Sequence, residues 1–192
     1  MAETPSTMVP VGTPAPDFAL PDPNGVVHTL SDFAASPTLV VVFACNHCPF
    51  VLHIGAQLGE VADELIAMGA AVVAINSNDA DAYPADSPPH MRTFAEENGW
   101  HFPYLVDETQ QVAHAYGAAC TPDFFVYDAE RRLAYRGQFD DARPSKPTPV
   151  TGDDLVRAVT RVVAGEPAGE PQHPSMGCNI KWRPGNQPLG ER

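Results

Sequence analysis

The sequence predicts an α/β domain in which one mixed β-sheet is flanked by helices on both faces. Two apolar runs rich in β-branched residues, 39–44 and 70–76, have the composition of buried parallel strands. Residues 48–68, which lie between these two runs, have the apolar spacing of a long helix. Apolar and polar residues alternate on both sides of Asp128-Ala129-Glu130, which predicts an antiparallel hairpin at the end of the sheet.

The predicted elements follow one another as a hairpin, alternating strands and helices, a second hairpin, a helix and a tail. The first hairpin pairs residues 18–20 with 26–30 across the turn signal Asp22-Pro23-Asn24-Gly25. The first core strands need right-handed crossovers and therefore lie parallel. The later elements are a helix over 89–98, a strand over 104–106, a helix over 109–116, hairpin strands over 122–127 and 132–136, and a helix over 152–164.

Composition divides the chain into three parts. We expect residues 1–10 to form a disordered N-terminal arm and residues 11–165 to form the domain. Residues 166–192 are a tail rich in glycine and proline, without periodicity. This tail carries the bulky side chains Ile180 and Trp182, which a loose tail would not need. We therefore expect the tail to pack back on the domain.

Charge and hydropathy limit the classes of partner and compartment. The formal net charge of −13 over 192 residues argues against nucleic acid and anionic membrane surfaces as partners. No apolar stretch has the length of a membrane span, and residues 1–10 lack the basic and apolar regions of a signal peptide. We therefore expect a cytoplasmic protein, a compartment in which disulfides are mostly catalytic or transient.

Two cysteines stand where the first core strand leads into the long helix. They are Cys45 and Cys48, in the segment Cys45-Asn46-His47-Cys48-Pro49. The free N–H groups and the dipole of a helix N-terminus stabilise a thiolate. The i, i+3 spacing lets the two sulfurs meet and form a disulfide. This CxxC segment is therefore the candidate active site.

The element order, with CxxC after the first core strand, resembles the thioredoxin fold, here with an N-terminal β-hairpin and an extended C-terminal tail. Residues 14–20, Pro-Ala-Pro-Asp-Phe-Ala-Leu, are similar to the N-terminal motif of the peroxiredoxin (AhpC/TSA) and related redoxin families. Thr121-Pro122 resembles the cis-proline motif that faces the CxxC in thioredoxins. A peroxiredoxin-like subgroup with a CNHC site is matched further at residues 43–51, 117–128, 135–141 and 177–182.

The resemblance implies a catalytic role for four residues. Cys45 would be the attacking thiolate and Cys48 the resolving thiol. His47 would stabilise the thiolate and raise the reduction potential. Pro122, after a cis peptide bond, would hold the opposite loop so that a substrate backbone pairs beside the dithiol.

Several positions depart from these family patterns. Ala44 and Asn46-His47 replace the tryptophan and the Gly-Pro pair of thioredoxins, and Leu39 takes the place of their buried acid. The group that accepts the proton of Cys48 is therefore not identified by the sequence. In peroxiredoxins the peroxidatic cysteine aligns with Cys48, but Cys45 stands where that family requires threonine or serine.

We predict a thiol–disulfide oxidoreductase that uses no cofactor and no metal. Its partners would be a disulfide-containing protein or a small thiol, without nucleic acid or membrane, and the chain would be a monomer or weak dimer. The first alternative is a peroxidase that uses Cys48 or Cys45 and takes peroxide as its substrate. The second is a copper- or zinc-binding carrier, because Cys45, His47, Cys48 and His53 form a C-x-H-C-x4-H pattern.

Cys120 and Cys178 are candidate auxiliary redox residues. Cys120 lies two positions before Pro122, which the fold would bring near the CxxC segment. If the tail packs back on the domain, Cys178 comes near Cys120 or near the CxxC segment, and a third or fourth thiol would relay oxidation. The alternative for Cys120 is a small buried structural residue, and for Cys178 an unreactive thiol in a loose extension.

Overall fold

The computed structural model describes residues 3–188, and within this range it has ten strands and four α-helices. The strands are β1 (Glu3–Pro5), β2 (Ala19–Pro21), β3 (Val27–Thr29), β4 (Thr38–Phe43), β5 (Ala70–Asn76), β6 (Tyr104–Val106), β7 (Cys120–Thr121), β8 (Asp123–Tyr127), β9 (Leu133–Gly137) and β10 (Met176–Asn179). The helices are α1 (Pro49–Ala67), α2 (Pro88–Glu97), α3 (Gln111–Tyr116) and α4 (Asp153–Val163), and Leu30–Phe33 and Pro84–Asp86 are short 3-10 turns.

A mixed five-stranded sheet in the order β6-β5-β4-β8-β9 forms the centre of the molecule. β5 lies parallel to both β4 and β6, because helical crossovers connect these strands. β8 is antiparallel to both β4 and β9, so β8 and β9 form the predicted hairpin. The prediction of a mixed sheet flanked by helices is confirmed.

β4 lies in the middle of this sheet, and its side chains divide between two hydrophobic cores. All of its residues are buried, which explains the continuous apolar run. Val40 and Val42 pack in the core that contains α1 and α4, whereas Val41 and Phe43 pack in the core that contains α3. Because successive side chains of a strand point to opposite faces, this short run supports both layers.

A second sheet, of three strands, is built from distant parts of the chain in the order β1-β10-β7. β10 comes from the tail and pairs antiparallel with β1 on one side and β7 on the other. The expectation of a disordered arm over residues 1–10 is thereby corrected, because residues 3–5 form a strand. Backbone hydrogen bonds to distant segments hold this strand, and no local pattern predicts them. Residues 1–2 and 189–192 of the predicted arm and tail lie outside the described residues.

The helix ends follow from their terminal residues. Pro49 is the first residue of α1, a position where a missing N–H is tolerated. Gly69 follows the end of α1 with a φ of +99°, the left-handed conformation that glycine adopts at helix C-termini.

Among the residues 3–188, no helix combines the length and the apolar composition that crossing a membrane requires.

Candidate active site

The two cysteines of the CxxC segment lie between the end of β4 and the start of α1. Cys48 immediately precedes the first helical residue, Pro49. Both thiols are buried, with 1% of Cys45 and 0% of Cys48 exposed. The dithiol therefore lies inside the protein, next to the partial positive charge of a helix N-terminus.

Thr121, at the end of β7, contacts both thiols. Its hydroxyl oxygen lies 3.2 Å from Cys45 Sγ, and its carbonyl oxygen accepts a hydrogen bond of 3.1 Å from the Cys48 thiol. The peptide bond between Thr121 and Pro122 is cis, as the sequence predicts. The strand thus brings Pro122 opposite the CxxC segment, but the polar contacts to the sulfurs come from Thr121.

The pKa values of the two thiols shift in opposite directions. The pKa of Cys48 is lowered to about 5, first because the Cys45 thiol donates a hydrogen bond to the Cys48 sulfur. Burial opposes this shift, whereas contacts with the side chain of Cys178 and with the amides of Val51 and Cys178 reinforce it. The pKa of Cys45 is raised, first because the Cys45 thiol donates a hydrogen bond to the Cys48 sulfur and second because Cys45 is buried. The resemblance implies a thiolate at Cys45, whereas these shifts favour a thiolate at Cys48.

The hydrogen bond from Cys48 to Thr121 belongs to the protonated form of Cys48. When Cys48 ionises, it can no longer donate to the Thr121 carbonyl oxygen, and this loss opposes ionisation. The hydrogen bond from the Cys45 thiol then makes the largest contribution to stabilising the charge on Cys48. The contact with Cys45 is therefore the one on which the low pKa of Cys48 depends most.

A buried carboxylate holds the CxxC segment in place. Asp86 ends the 3-10 turn Pro84–Asp86 and is 2% exposed. Its Oδ1 accepts a hydrogen bond of 2.7 Å from the Asn46 N–H, and its Oδ2 accepts one of 2.8 Å from the side-chain amide of Asn78. Burial favours the neutral acid, but the contacts with His47, Asn78 and Asn46 outweigh it and keep the pKa of Asp86 below its usual value. Asp86 is therefore an ionised group inside the site.

His47 lies between this carboxylate and an aromatic ring. Its Nδ1 is 2.8 Å from Asp86 Oδ2, and its ring stacks on Tyr83 with a centroid distance of 5.2 Å. The carboxylate raises the pKa of His47, although partial burial opposes this shift. A protonated imidazole beside the dithiol favours the thiolate form. His47 thus has the tuning environment that the resemblance implies, and Asp86 is the group that maintains its charge.

Asn46 is fixed from both sides. The Tyr104 hydroxyl donates a hydrogen bond of 3.0 Å to Asn46 Oδ1, and Asn46 Nδ2 donates one of 2.8 Å to the Ala85 carbonyl. These two contacts engage both ends of the Asn46 side-chain amide, and its backbone N–H donates to Asp86. Asn46 therefore positions the loop between the two cysteines.

The tail places Cys178 next to the dithiol. Cys178 pairs with Thr121 in the register of β10 and β7, and only 3% of it is exposed. Its side chain and its backbone amide both contact Cys48. Burial and the contact with Cys48 raise the pKa of Cys178 to about 12. Cys178 is therefore a protonated thiol in contact with the most acidic sulfur of the site.

Cys120 faces away from this group. It pairs with Asn179, one position along the strands from the pair formed by Cys178 and Thr121. Because side chains alternate along a strand, Cys120 points to the opposite face of the small sheet. Its thiol donates a hydrogen bond of 3.5 Å to the Pro122 carbonyl, and burial raises its pKa. The structure therefore brings three of the four cysteines into contact and places Cys120 on the opposite face of the small sheet, where the charge of Cys48 adds to the rise of its pKa.

Three side chains of the site have the chemistry to bind a metal ion. The ligand atoms of Cys45, His47 and Asp86 lie within 4.8 Å of one another. Thiolate, imidazole and carboxylate are all zinc ligands. Within residues 3–188, Cys48 and His53 are not part of such a group, so the C-x-H-C-x4-H set is not assembled. Contacts within the protein also account for the cluster without an ion.

Two residues of the site have weak signals in the sequence. Thr121 precedes the recognised proline, but a threonine at that position has no chemical signature of its own. Asp86 lies in a polar loop, 40 positions from Asn46, which it binds. Nothing local distinguishes it from the other acids of that loop, so only the fold reveals it.

Sequence comparisons find similarity to a family model and to known thiol-dependent enzymes. The model of the AhpC/TSA family matches residues 11–136. The thiol-disulfide oxidoreductase ResA of Geobacillus thermodenitrificans (strain NG80-2) is 28% identical over 132 residues, which cover 68% of this chain and 70% of that protein. Peroxiredoxin Bcp of Escherichia coli (strain K12) is 29% identical over 126 residues, which cover 65% of this chain and 76% of that protein.

Solved structures show the same fold. A hypothetical protein from Sinorhizobium meliloti 1021 superposes with a TM-score of 0.93 at 52% identity, covering 95% of this chain and 100% of that one. The thioredoxin domain of a thiol-disulfide oxidoreductase from Bacteroides vulgatus superposes with a TM-score of 0.62 at 18% identity, covering 81% and 99%. Because the family model matches more than half of the sequence, the chain belongs to the AhpC/TSA family and is a thiol-dependent oxidoreductase with a thioredoxin-like fold.

Proposed function

We propose that this chain is a thiol–disulfide oxidoreductase in which Cys45 and Cys48 alternate between a dithiol and an internal disulfide. One observation carries the proposal. The two buried thiols contact the same residue, Thr121, and their pKa values shift in opposite directions. One sulfur is therefore a nucleophile at neutral pH while the other keeps its proton, as a two-step exchange requires.

We assign the first attack to Cys48. Its thiolate attacks a substrate disulfide, forms a mixed disulfide and releases one substrate thiolate. The mixed disulfide removes the charge from Cys48, and with it the largest cause of the raised pKa of Cys45. Cys45 then gives its proton to the released thiolate and attacks the Cys48 sulfur. This step closes the Cys45–Cys48 disulfide and releases the second substrate thiolate. The order reverses the roles that the resemblance implies.

His47 and Pro122 are positioning residues in this proposal. The positive charge of His47, maintained by Asp86, favours the thiolate at Cys48. Pro122 follows Thr121 and holds it against both sulfurs. We expect a replacement of His47 by alanine to raise the pKa of Cys48, without removing either reacting sulfur.

The test measures the first glutathione released when the reduced protein is mixed with one equivalent of glutathione disulfide. Wild type and Cys45→Ser should both show a fast first release, because both retain Cys48 and the serine hydroxyl keeps a hydrogen-bond donor at position 45. Cys48→Ser should lose it. If instead Cys45→Ser loses the fast release and Cys48→Ser retains it, Cys45 attacks first. If wild type releases no glutathione from glutathione disulfide and none of an added insulin substrate is reduced, the proposal fails.

Peroxide reduction is a second candidate, favoured by one contact. The Thr121 hydroxyl lies 3.2 Å from Cys45 Sγ, so β7 brings to the dithiol the hydroxyl that the sequence lacks three residues before Cys48. The similarity to a peroxiredoxin supports the same reading. Stoichiometric hydrogen peroxide separates the two candidates. Fast peroxide consumption that survives Cys45→Ser indicates a peroxidase, whereas a peroxide-inert wild type that reacts with glutathione disulfide excludes it.

The proposed cycle also includes a cytoplasmic location and a small thiol or protein disulfide as its partner. The dithiol must be reduced again after each turnover, and the cytoplasm supplies the thiol reductants for this step. Cell fractionation, with detection of the full chain in each fraction, tests the location. Recovery in an oxidising compartment would contradict it.

A further inference from the structure

The segment that covers the dithiol is the chain's own tail. Because both sulfurs contact Thr121, the residue opposite Thr121 on a paired strand lies beside the dithiol. In the three-stranded sheet that residue is Cys178. An extended polypeptide that binds by strand addition would need an open edge of β7. β10 occupies one edge of β7, and on this edge Cys178 contacts Cys48.

The approach of β10 to β7 is close, and it is fixed by a glycine. A Cβ atom at Gly177 would lie 2.1 Å from the Thr121 carbonyl oxygen, far inside the contact distance. Only glycine therefore fits at this position without moving the strands apart. As a result Cys178, the next residue, is packed in the same hydrophobic core as Cys45 and Cys48.

The contact to Cys48 is made by two parts of Cys178, its side chain and its backbone amide. Cys120 is as deeply buried, at 0% exposure, but its side chain points to the opposite face of the sheet. The position of Cys178 is therefore specific: among the auxiliary cysteines it is the one directed at the sulfur to which we assign the first attack.

We propose that Cys178 is a third exchanging thiol, which forms a disulfide with Cys48, and that β10 is an internal substrate strand that presents it. The proposal rests on the proposed function, because it needs Cys48 to react with a disulfide first. It adds a specificity: while β10 is in place, an external polypeptide cannot pair with the edge of β7 on which Cys178 contacts Cys48. The substrates of this form of the protein are therefore small disulfides.

The exchange balances with glutathione disulfide as the oxidant. Cys48 takes one glutathione and the other leaves as a thiolate, which accepts the proton of Cys178. The Cys178 thiolate attacks the Cys48 sulfur, so that a Cys48–Cys178 bond forms and the bond to glutathione breaks. Two electrons pass from the two protein sulfurs to glutathione disulfide, which becomes two glutathione molecules. In the wild type, Cys45 and Cys178 compete for the mixed disulfide on Cys48. Where Cys178 reacts first, Cys45 attacks the Cys48 sulfur, the Cys48–Cys178 bond breaks, and the released Cys178 takes the proton of Cys45.

The test uses the full chain with Cys45→Ser, which removes the competing thiol. The reduced variant receives one equivalent of glutathione disulfide, is quenched with an alkylating agent and is mapped by peptide mass spectrometry. We expect a crosslinked peptide that contains Cys48 and Cys178, and no glutathione on the protein. The matched control, Cys45→Ser with Cys178→Ser, should retain glutathione on Cys48. Cys45→Ser with Cys120→Ser should form the same crosslink, because Cys120 faces away.

Two results would overturn the inference and leave the proposed function intact. The first is glutathione that remains on Cys48 of Cys45→Ser while Cys178 is alkylated. The second is a crosslink between Cys178 and Cys120. If Cys48 is unmodified in the wild type and in all variants, the proposed function fails and the inference fails with it. Far-UV circular dichroism of each variant verifies that the comparison is between folded proteins.

Discussion

At the scale of single residues, the acidity of Cys48 depends on groups from three separate parts of the chain. Three residues make hydrogen bonds to the Cys48 sulfur. They are Cys45, which follows β4, Val51 in the first turn of α1, which contributes its backbone amide, and Cys178 in the tail. Together they lower the pKa from the ordinary 9.0 to about 5. The acidity of Cys48 therefore depends on the arrangement of all three segments.

We expect Cys45→Ala to raise the pKa of Cys48 towards 9.0, because it removes the largest cause of the shift. The rate of alkylation of Cys48 by iodoacetamide, followed by mass spectrometry over a range of pH, gives this pKa. The wild-type rate should already be level at neutral pH, whereas the rate of the variant should still be rising there. Cys120→Ala is the control, since Cys120 is not among the groups that lower this pKa. An unchanged midpoint in Cys45→Ala would contradict the assignment.

The pair formed by His47 and Asp86 gives the free energy of unfolding a defined pH dependence. The folded pKa of His47 is above its ordinary 6.5, so its contribution is complete below pH 6.5 and is lost as the pH rises through the raised pKa. The folded pKa of Asp86 is below its ordinary 3.8, so its contribution is complete above pH 3.8 and is lost as the pH falls through the lowered value. The pair therefore stabilises most between pH 3.8 and 6.5.

We expect His47→Gln to lose this pH dependence. The difference in free energy of unfolding between wild type and His47→Gln, measured by urea unfolding, should be largest between pH 3.8 and 6.5 and should shrink above that window. His90→Gln, which replaces a histidine on the exposed side of α2, serves as the control. A difference that stays constant from pH 5 to pH 9 would show that the pair does not titrate as described.

At the scale of elements, β10 decides which molecules reach the dithiol. It is a short strand, Met176–Asn179, with β1 on one side and β7 on the other. Its register puts Cys178 opposite Thr121, and a shift of one residue would turn Cys178 to the other face. The close approach at Gly177 is one of the features that fix this register.

We expect Gly177→Ala to destabilise the fold by about 2 kcal/mol, because the new Cβ would overlap the Thr121 carbonyl and force β10 away from β7. The same displacement should increase the rate of insulin reduction relative to that of glutathione disulfide. Urea unfolding and the two rates measure these effects. Gly12→Ala is the control for the rate ratio: its positive φ makes alanine strained there, but its Cβ meets nothing within 4 Å, so it should lower stability without changing the ratio. Equal rate ratios in wild type and Gly177→Ala would contradict the covering role of β10.

At the scale of the whole molecule, the tail takes part in both hydrophobic cores. Cys178 packs in the core on the side of α1 and α4, and Ile180 packs in the core on the side of α3. Ile180 is 1% exposed, and its backbone N–H donates to the Ala119 carbonyl. The tail is therefore part of the folded unit and is not an appendage to it.

We expect Ile180→Ala to lower the free energy of unfolding by about 2–4 kcal/mol, since it leaves a cavity in a buried cluster. Ile66→Ala is the control, because Ile66 is 41% exposed on α1 and its truncation should cost far less. Urea unfolding of the three proteins gives the comparison. Equal stabilities of the two variants would show that the tail does not contribute to the core.

Local patterns in the sequence are enough to predict the strands of the five-stranded sheet, its helices and the location of the dithiol. These features depend on local signals: the apolar run of β4, the helical spacing of α1, the turn residues of the hairpins, and two cysteines at a strand–helix junction. Such signals act over neighbouring residues, so they can be read without the fold. The bounds of these elements accordingly differ by only a few residues from those expected.

The small sheet and the residues that contact the dithiol become visible only in the folded chain. The strands of that sheet are two to four residues long and are held by hydrogen bonds between segments far apart in the chain. Asp86 and Thr121 lie 40 and 76 positions along the chain from the residues of the CxxC segment that they contact, so only folding brings them together. The same is true of the order of acidity: spacing places two thiols together, but the pKa of each depends on charges and donors that only the folded chain brings into contact.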